Sequence, residues 1–417
     1  MKYKFSKLCT LKDDGNVAII ESHLNNSTIE LFEQQYLDEF RALQSTAIID
    51  NLNSDLREIL FEEKILVEND FNEFSFIFNI SKDFDEQSIS LIIFPTENCN
   101  LRCIYCYETF RNRELSKGHY DLLLNTLINK VNHENKKNIN ISWFGGEPLL
   151  KFGDIVYFNK QVMQAAEEKN AYFSSSITTN GVLLDLDTLY LLCQNGVYEY
   201  QITLDGFFHD GQCVFPDGKG SFDIIYKNII CMLESDLDFR LLLRVNIPDK
   251  EFDFSFYDLF SNYAEDKRLH MLIRPVGKWG ESDFNLPVFG RKSGKDAMKV
   301  HNKYLRNLGF SIFDDGNKGL LSGSCYAAQK DSFVIRADGK IGKCTVALDH
   351  PLNNVGHLDL KNSEFVIEDH KQSVWINNAL TNECRKCIKM ATCYNRSCPL
   401  VRINNKTTRC CDRSTEV

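Results

Sequence analysis

The chain has 417 residues, with 48 Lys and Arg against 58 Asp and Glu, and 43% of its residues are hydrophobic. This length predicts two or three domains, and the apolar content is enough to build ordinary cores. The formal net charge of −10 disfavours a nucleic-acid partner held by phosphate contacts. Residues 1–15 lack the apolar run of a signal peptide, and runs such as Leu91–Phe94 are too short to span a bilayer. A cytoplasmic protein is therefore expected.

Residues 1–85 predict a small α+β module. The predicted elements are strands at Lys2–Leu11 and Val17–His23 around an Asp14-Gly15 turn, a third strand at Thr28–Phe32, and helices at Gln34–Leu43 and Asp55–Leu66.

Residues 86–280 alternate strands with helices. The predicted strands are Ile89–Phe94, Ile139–Phe144, Ser174–Thr179, Tyr200–Leu204, Leu241–Ile247 and Met271–Val276. Apolar residues at helical spacing lie between them, for example Ile225, Ile229 and Leu233. The pattern predicts an α/β fold, a partial (β/α)6 TIM-like barrel with a curved parallel sheet. In such folds, function gathers in the loops at the carboxyl ends of the strands.

Residues 281–417 predict a third, cysteine-rich domain. A helix is expected at Asp296–Leu308, and a hairpin at Phe333–Lys343 is expected to turn through Asp338-Gly339. Of the 15 cysteines in the chain, eight lie between Cys325 and Cys411 and three within 99–106. The odd total and the lack of an export signal argue against disulfides, whereas close clustering is what metal ligation requires.

The first cysteine group is Cys99-x3-Cys103-x2-Cys106, directly after the first strand of the barrel. Three thiolates can fill three irons of a [4Fe–4S] cluster and leave the fourth iron open to a ligand. The alternatives are a zinc knuckle that lacks its fourth ligand, or plain buried thiols. The position after the first strand of a strand–helix series favours the cluster.

This loop resembles that of the radical SAM superfamily, including the aromatic Tyr105 before the last cysteine. Three later loops agree with the resemblance: Gly145-Gly146-Glu147-Pro148, Thr178-Thr179-Asn180-Gly181 and Thr203-Leu204-Asp205-Gly206. The resemblance implies that S-adenosylmethionine (SAM) binds the open iron and is cleaved by one electron. The resulting 5′-deoxyadenosyl radical would abstract an otherwise inert hydrogen atom.

The same resemblance implies that Tyr105, Gly145, Gly146, Glu147, Thr203, Arg244 and Asn246 contact SAM. Relatives often carry an arginine at the position of Cys213, so Arg244 is the candidate that would pair with the SAM carboxylate. The alternative for Arg244 is a structural ion pair. His209 is interpreted as a structural residue, and no catalytic residue is assigned.

The second cysteine group is spread over the C-terminal segment. Spacing alone leaves two structural zinc sites open, since Cys-x2-Cys is equally a zinc pattern. The group resembles the SPASM domain, which implies two auxiliary iron–sulfur clusters, expected to be [4Fe–4S]. By this resemblance the inner cluster is held by Cys325, Cys344 and Cys398, and the outer one by Cys384, Cys387, Cys393 and either Cys410 or Cys411.

Two departures from the SPASM pattern bear on these ligands. Four residues instead of three separate Cys393 from Cys398, so Cys398 lies one position later than the ligand cysteine of the SPASM pattern. Some relatives have a further cysteine where this chain has Asp331. The inner cluster is therefore expected to have three cysteine ligands, and an open iron there could bind substrate.

Radical SAM enzymes with this extension mostly modify peptides or proteins. We favour a maturase that crosslinks a ribosomally made peptide through a thioether, carbon–carbon or carbon–oxygen bond. Its partners would be a precursor peptide with a leader and an electron donor such as flavodoxin or ferredoxin. The resemblance implies that the strand-rich residues 1–85 bind the leader at a sheet edge, with a plain scaffold as the alternative. The alternative is an anaerobic sulfatase maturase forming formylglycine, but those enzymes have Asp where this chain has Thr345. A non-catalytic zinc-binding interaction protein is the alternative from another class.

Overall fold

The computed structural model describes residues 2–52, 54–134, 136–277, 287–313, 324–376, 384, 387–388, 390–394 and 396–405. These parts form two compact units. One comprises the described parts of Met1–Asp85, Asp315–Lys330 and Ser373–Val417, and the other those of Glu86–Asp314 and Asp331–Gln372. The three-domain division at residues 85 and 280 stays a prediction.

The N-terminal part has two small sheets and three helices. Its elements are β1 Tyr3–Phe5, β2 Cys9–Asp13, β3 Ala18–Ser22, β4 Ser27–Leu31, α1 Gln34–Gln44, α2 Asp55–Glu62, β5 Leu66–Glu68 and α3 Glu73–Gln87. β2, β3 and β4 form an antiparallel sheet, and β1 pairs with β5. Ala18 and Ile20, two residues apart on β3, face the same core as Leu37 and Phe40 of α1.

The single strand expected at Lys2–Leu11 is wrong, because the chain turns at Ser6. The Ser6 N–H donates to the Ile65 carbonyl, its hydroxyl donates to the Glu73 carboxylate, and the Leu8 N–H donates to the Ser6 hydroxyl. The local Ser6–Leu8 bond and the two bonds from Ser6 to distant segments hold this turn, which interrupts the strand. The second predicted helix also ends early, at Glu62, where Lys64 follows with a φ of 54°.

The barrel contains six parallel strands in sequence order, as predicted. They are β6 Ser88–Ile93, β8 Asn138–Trp143, β9 Tyr172–Thr179, β10 Val197–Thr203, β12 Arg240–Ile247 and β13 Leu269–Pro275. The helices are α4 Lys117–His133, α5 Phe152–Glu168, α6 Leu186–Gln194, α7 Phe222–Glu234 and α8 Arg291–Asn307, with a 3₁₀ helix at Phe254–Tyr263 before β13. Two short strands, β7 Arg102–Cys103 and β11 Cys213–Val214, pair antiparallel. The α/β partial barrel is confirmed.

Further strands extend the same sheet at both edges. They are β14 Ser311–Ile312 beside β13, and then β15 Ser332–Ile335, β16 Lys340–Gly342, β17 Gly356–Asp359 and β18 Glu364–Ile367 beyond β6. β15 and β16 are the predicted hairpin, but the parallel pairing of β15 with β6 was not predicted. The described C-terminal helices are α9 Asp369–Ile376, α10 Met390–Cys393 and α11 Pro399–Asn405. Among the described residues, no helix has the length and apolarity of a membrane span.

Candidate active site

A cavity opens at the carboxyl ends of the barrel strands. Nine of the ten residues predicted to hold the first cluster or SAM line it: Cys99, Cys103, Cys106, Tyr105, Gly145, Gly146, Thr203, Arg244 and Asn246. The exception is Glu147. The sheet brings the predicted loops together because parallel strands end at one edge.

The loop that follows β6 supplies three thiols to the cavity. Burial raises the pKa of Cys99 to about 11 and that of Cys106 to about 12, so both are neutral thiols at pH 7. The Leu101 N–H donates to Cys99 Sγ at 3.4 Å, and Asn180 Nδ2 donates to the same sulfur at 3.7 Å. Three soft ligands on one cavity, with N–H donors already at Cys99, fit an iron–sulfur cluster better than an oxygen-preferring cation.

Two glycines allow the loop after β8 to lie against the cysteine loop. A Cβ on Gly145 would lie 2.6 Å from the Thr96 carbonyl oxygen, and one on Gly146 would lie 2.1 Å from the Asn98 carbonyl oxygen. The Gly146 N–H donates to Thr96 O at 3.2 Å, and the Glu147 N–H donates to Asn98 O at 2.8 Å. The two loops therefore touch backbone to backbone, and any side chain at these positions would separate them.

Glu147 is fully buried and braces the loops instead of facing the cavity. Its carboxylate accepts hydrogen bonds from Thr179 Oγ1 at 2.7 Å, the Asn180 N–H at 2.8 Å and the Leu149 N–H at 2.9 Å. Burial raises its pKa to about 7, and these donors oppose the rise. Because the protein's own donors surround this carboxylate, its structural role is to tie the loop after β8 to the loop after β9.

Tyr105 lies at the centre of a buried polar network. Its hydroxyl donates to the Asp205 carboxylate, and its oxygen lies 3.3 Å from Asn246 Nδ2 and 3.2 Å from Cys213 Sγ. The Asn246 N–H also donates to Asp205 Oδ1 at 2.8 Å. Burial raises the pKa of both Tyr105 and Asp205. The network fixes the orientation of the aromatic residue that precedes Cys106.

Asp205, His209 and Cys213 bring ligand atoms within 4.8 Å of one another, which is close enough to suggest a metal site. His209 Nδ1, however, accepts the Asp205 N–H at 3.2 Å, and Nε2 lies 3.1 Å from the Ser221 hydroxyl. Ser221 in turn donates to the Cys213 carbonyl at 2.7 Å. Both ring nitrogens are therefore used in hydrogen bonds, and the group is a structural network, as expected for His209.

Arg244 projects from β12 into the site. Its Nε donates to Asn246 Oδ1 at 2.8 Å, and within the described residues its Nη atoms have no hydrogen-bond acceptor. Burial lowers its pKa, while Tyr105 and Asp205 favour the charged form. A guanidinium with unfilled donors on a cavity wall suits a bidentate carboxylate, which supports the ligand-binding alternative over a structural ion pair.

A buried ion pair holds the base of the cysteine loop. Arg336, just after β15, donates through Nη2 and Nε to Glu97 Oε1 at 2.7 and 2.9 Å. The two side chains are only 7% and 4% exposed. Arg336 also reaches Asp349 Oδ1 at 3.1 Å. Asp349 is thus an ion-pair partner near the surface.

Cys325 and Cys398 belong to the unit that contains the N-terminal residues, and their thiols are in direct contact. This hydrogen bond, aided by the Leu400 and Val401 N–H groups, lowers the pKa of Cys398 to about 6. The loop before Cys398 is held by Arg396, whose carbonyl accepts the Cys325 N–H at 2.6 Å. Cys398 thus lies beside Cys325, with four residues between it and Cys393.

The other predicted auxiliary ligands come from several segments of the chain. Cys384 and Cys387 share a turn closed by the Cys387 N–H to Cys384 carbonyl bond at 3.1 Å, and Cys393 ends α10. Cys344 belongs to the second unit, where it is 5% exposed and its backbone bonds to the Asn353 side chain. Cys410 and Cys411 lie outside the described residues.

Asp331 has a structural partner of its own. Its carboxylate accepts from Lys136 Nζ at 2.6 Å and lies 3.6 Å from Lys130 Nζ. Lys136 is 4% exposed, so this carboxylate compensates a buried cation. Asp331 is therefore an ion-pair partner of Lys136.

Comparison with known proteins agrees with this geometry. The family model described as the radical SAM superfamily matches residues 93–253, from the end of β6 to the segment after β12. The chain contains a radical SAM domain. The match covers the three thiols, the paired glycines, Asp205 and Arg244.

Relatives resemble more of the chain than the radical SAM domain alone. The cysteine-type anaerobic sulfatase-maturating enzyme of Clostridium novyi is 26% identical over 330 residues, which is 72% of this chain and 85% of that protein. The serine-type enzyme of Bacteroides thetaiotaomicron is 22% identical over 337 residues, covering 72% and 80%.

Two solved structures share the fold. anSMEcpe with bound AdoMet and Cp18Cys peptide matches at a TM-score of 0.51 and 17% identity, over 73% of this chain and 88% of that one. Streptococcus suis SuiB bound to precursor peptide SuiA matches at 0.53 and 14% identity, over 98% of both chains. At these identities the likeness concerns the fold.

Several residues of the radical SAM site were not assigned from sequence. Asn180 and Asp205 lie within the quoted loop motifs, so their positions were visible although their contacts were not. Glu108 lines the cavity, and burial together with the Glu97 carboxylate raises its pKa to about 8. In the sequence, the position of Glu108 two residues after Cys106 is what indicates that it lies near the site.

Proposed function

We propose that this chain is a radical SAM enzyme that modifies a ribosomally made peptide and forms a crosslink in it. The observation that carries the proposal is the convergence of three cysteine thiols and Arg244 on one cavity at the carboxyl ends of the strands. A structural zinc site would need a fourth protein ligand, and a built cavity beside an incomplete ligand set is typical of an open, reactive metal site.

Cys99, Cys103 and Cys106 would hold a [4Fe–4S] cluster with one open iron, and Arg244 would pair with the carboxylate of SAM. When bound, the reduced cluster and SAM supply a 5′-deoxyadenosyl radical that takes a hydrogen atom from the substrate. Tyr105 and Asn246 keep the wall of the site fixed, and Phe144 and Phe110 add apolar lining that limits water.

The C-terminal cysteines would hold two auxiliary [4Fe–4S] clusters. The contact of Cys325 with Cys398, and the environment that favours the Cys398 thiolate, support ligation there. Cys344 would complete the inner set. Cys384, Cys387 and Cys393 would hold the outer cluster together with Cys410 or Cys411.

A precursor peptide is the proposed partner, and the N-terminal part supports this choice. The match to SuiB bound to precursor peptide SuiA covers 98% of this chain, so it includes most of residues 1–85. The anSMEcpe match covers 73%. The antiparallel sheet of β2, β3 and β4 has edge strands to which an extended leader could add.

Formylglycine formation on a sulfatase is the second candidate. The similarity to sulfatase-maturating enzymes over 72% of the chain favours it. Thr345, in place of the aspartate that those enzymes are thought to use as base, counts against it.

The test is to incubate the anaerobically reconstituted, reduced enzyme with SAM and the small peptide encoded beside its gene. Crosslinking removes two hydrogens per bond without breaking the peptide, which mass spectrometry with fragmentation detects. The matched reaction contains a sulfatase peptide with its Cys or Ser. Formylglycine in that reaction, with an unchanged neighbouring peptide, would reverse the ranking. Zinc without iron or sulfide would support the interaction protein instead.

A further inference from the structure

Cys213 faces Cys103 across a short two-stranded ladder. β7 and β11 pair antiparallel with Cys103 directly opposite Cys213. The next pair outward is joined by the Ile104 N–H, which donates to the Gln212 carbonyl at 2.9 Å. Hydrogen-bonded and non-hydrogen-bonded pairs alternate, so Cys103 and Cys213 form a non-hydrogen-bonded pair, in which side chains approach most closely. The two side chains therefore face each other across the ladder.

The hydrogen bonds around Cys213 leave its proton directed at one of two acceptors. Tyr105 gives its own proton to the Asp205 carboxylate, so toward Cys213 the phenol oxygen can only accept, across 3.2 Å. That oxygen also lies within reach of Asn246 Nδ2. The competing acceptor is Cys103 Sγ, which carries negative charge once it ligates iron and is then the stronger acceptor.

Cys213 is also shielded from solvent. It is 2% exposed, so water does not compete for the S–H. Cys213 is therefore a buried thiol that faces the sulfur of Cys103 across the ladder.

We propose that Cys213 donates its S–H to the Cys103 thiolate and thereby sets the reduction potential of the first cluster. The inference rests on the proposed function, because it needs the cluster on Cys99, Cys103 and Cys106. One-electron reduction adds negative charge that spreads onto the ligand sulfurs, and a hydrogen bond to one of them stabilises the reduced state. Cys213 acts through Cys103 and is a positioning residue.

The test is a redox titration followed by electron paramagnetic resonance on the complete, reconstituted enzyme. The first-cluster signal is identified as the one that changes when SAM is added. Cys213→Ala and Cys213→Val remove the donor, and both should shift this signal to a more negative potential. Cys213→Ser keeps an O–H donor and should restore most of the shift.

Cys193→Ala is the matched control. Cys193 is a half-buried thiol that, like Cys213, lies next to a tyrosine hydroxyl. It is 3.3 Å from Tyr200 on the helical side of the sheet, and it does not line the cavity. The first cluster of Cys193→Ala should have the same reduction potential as the first cluster of the parental enzyme.

Equal potentials in the parental, alanine and valine enzymes would overturn the inference and leave the proposed function standing. Loss of the first cluster from the serine variant as well would also overturn it, because serine keeps the donor. Retention in serine with loss in alanine and valine would support it. An iron-free parental enzyme would instead defeat the proposed function itself.

Discussion

The two cysteine groups of this chain are built in different ways. In the first group, three thiols lie within eight residues of one loop, and two glycines press that loop against its neighbour. In the second group the described thiols come from separate segments, and Cys344 belongs to a different unit from Cys325 and Cys398. The first group is therefore pre-formed by local packing, whereas the second depends on distant parts of the chain.

The two groups also differ in charge state. Burial raises the pKa of Cys99 and Cys106 to about 11 and 12, whereas the Cys325 contact and backbone donors lower that of Cys398 to about 6. A thiol must lose its proton to bind iron. At neutral pH, deprotonating the thiols of the first site for cluster binding therefore costs more free energy than deprotonating Cys398. We infer that packing of the loop compensates by holding the three sulfurs together.

The largest expected effect comes from the glycine contact that shapes the first group. Gly146→Ala would place a Cβ 2.1 Å from the Asn98 carbonyl oxygen, so the cysteine loop must move. We expect loss of the first cluster and of all 5′-deoxyadenosine release, together with a destabilisation of about 3 kcal/mol or more. Iron analysis and product assay check this. Gly153→Ala, whose Cβ would have nothing within 4 Å, is the control and should behave like the parental enzyme.

The next effect concerns the ion pair beneath the same loop. Arg336→Ala leaves the Glu97 carboxylate buried without its main partner, which costs about 3–5 kcal/mol and lowers the unfolding midpoint by on the order of 10 °C. Arg111→Ala is the control, because Arg111 meets Asp349 only at 3.8 Å near the surface. A change there should stay below about 1 kcal/mol. Equal midpoints for both variants would mean that the buried pair does not support the loop.

A smaller effect is expected when the second group is altered. Cys398→Ala should remove about four of about twelve irons per chain, while the enzyme still cleaves SAM at the first cluster. Peptide crosslinking should fall more than 5′-deoxyadenosine release. An unchanged iron content would exclude Cys398 as a ligand.

The smallest effect is a difference in reactivity between the two groups in the cluster-free chain. The thiolate is the reactive form, so at pH 7 Cys398 is mostly anionic, while Cys99 and Cys106 are protonated. Iodoacetamide should modify Cys398 roughly 30- to 100-fold faster than Cys99 and roughly 100- to 400-fold faster than Cys106, after allowance for the lower intrinsic nucleophilicity of Cys398. Its rate should fall as the pH drops through 6. Peptide mapping measures these rates, and similar rates at all three thiols would contradict the charge difference.

The barrel and the first site could be predicted because their signals are local. Six apolar strands recur between helical patterns, and the cysteine, glycine and Asp205 motifs each directly follow a strand. α3 was missed because Phe74, Phe76 and Phe78 alternate as in a strand, although they lie on a helix that buries Ile77.

Contacts between distant segments had no such signal. The pairing of β15 with β6 and the Arg336–Glu97 ion pair join residues far apart in the chain, and nothing near either partner indicates the other. Glu147 was expected at SAM from its motif, but whether its carboxylate faces a ligand or the Thr179 hydroxyl depends on the neighbouring loop.

The most direct test of the account compares Cys103→Ala with the parental enzyme, both reconstituted with iron and sulfide without oxygen, reduced, and supplied with SAM. The account predicts that the variant loses the iron of one cluster and releases no 5′-deoxyadenosine, whereas Cys193→Ala matches the parental enzyme. Release by Cys103→Ala at the parental rate would contradict the assignment of the loop 99–106 as the cluster site.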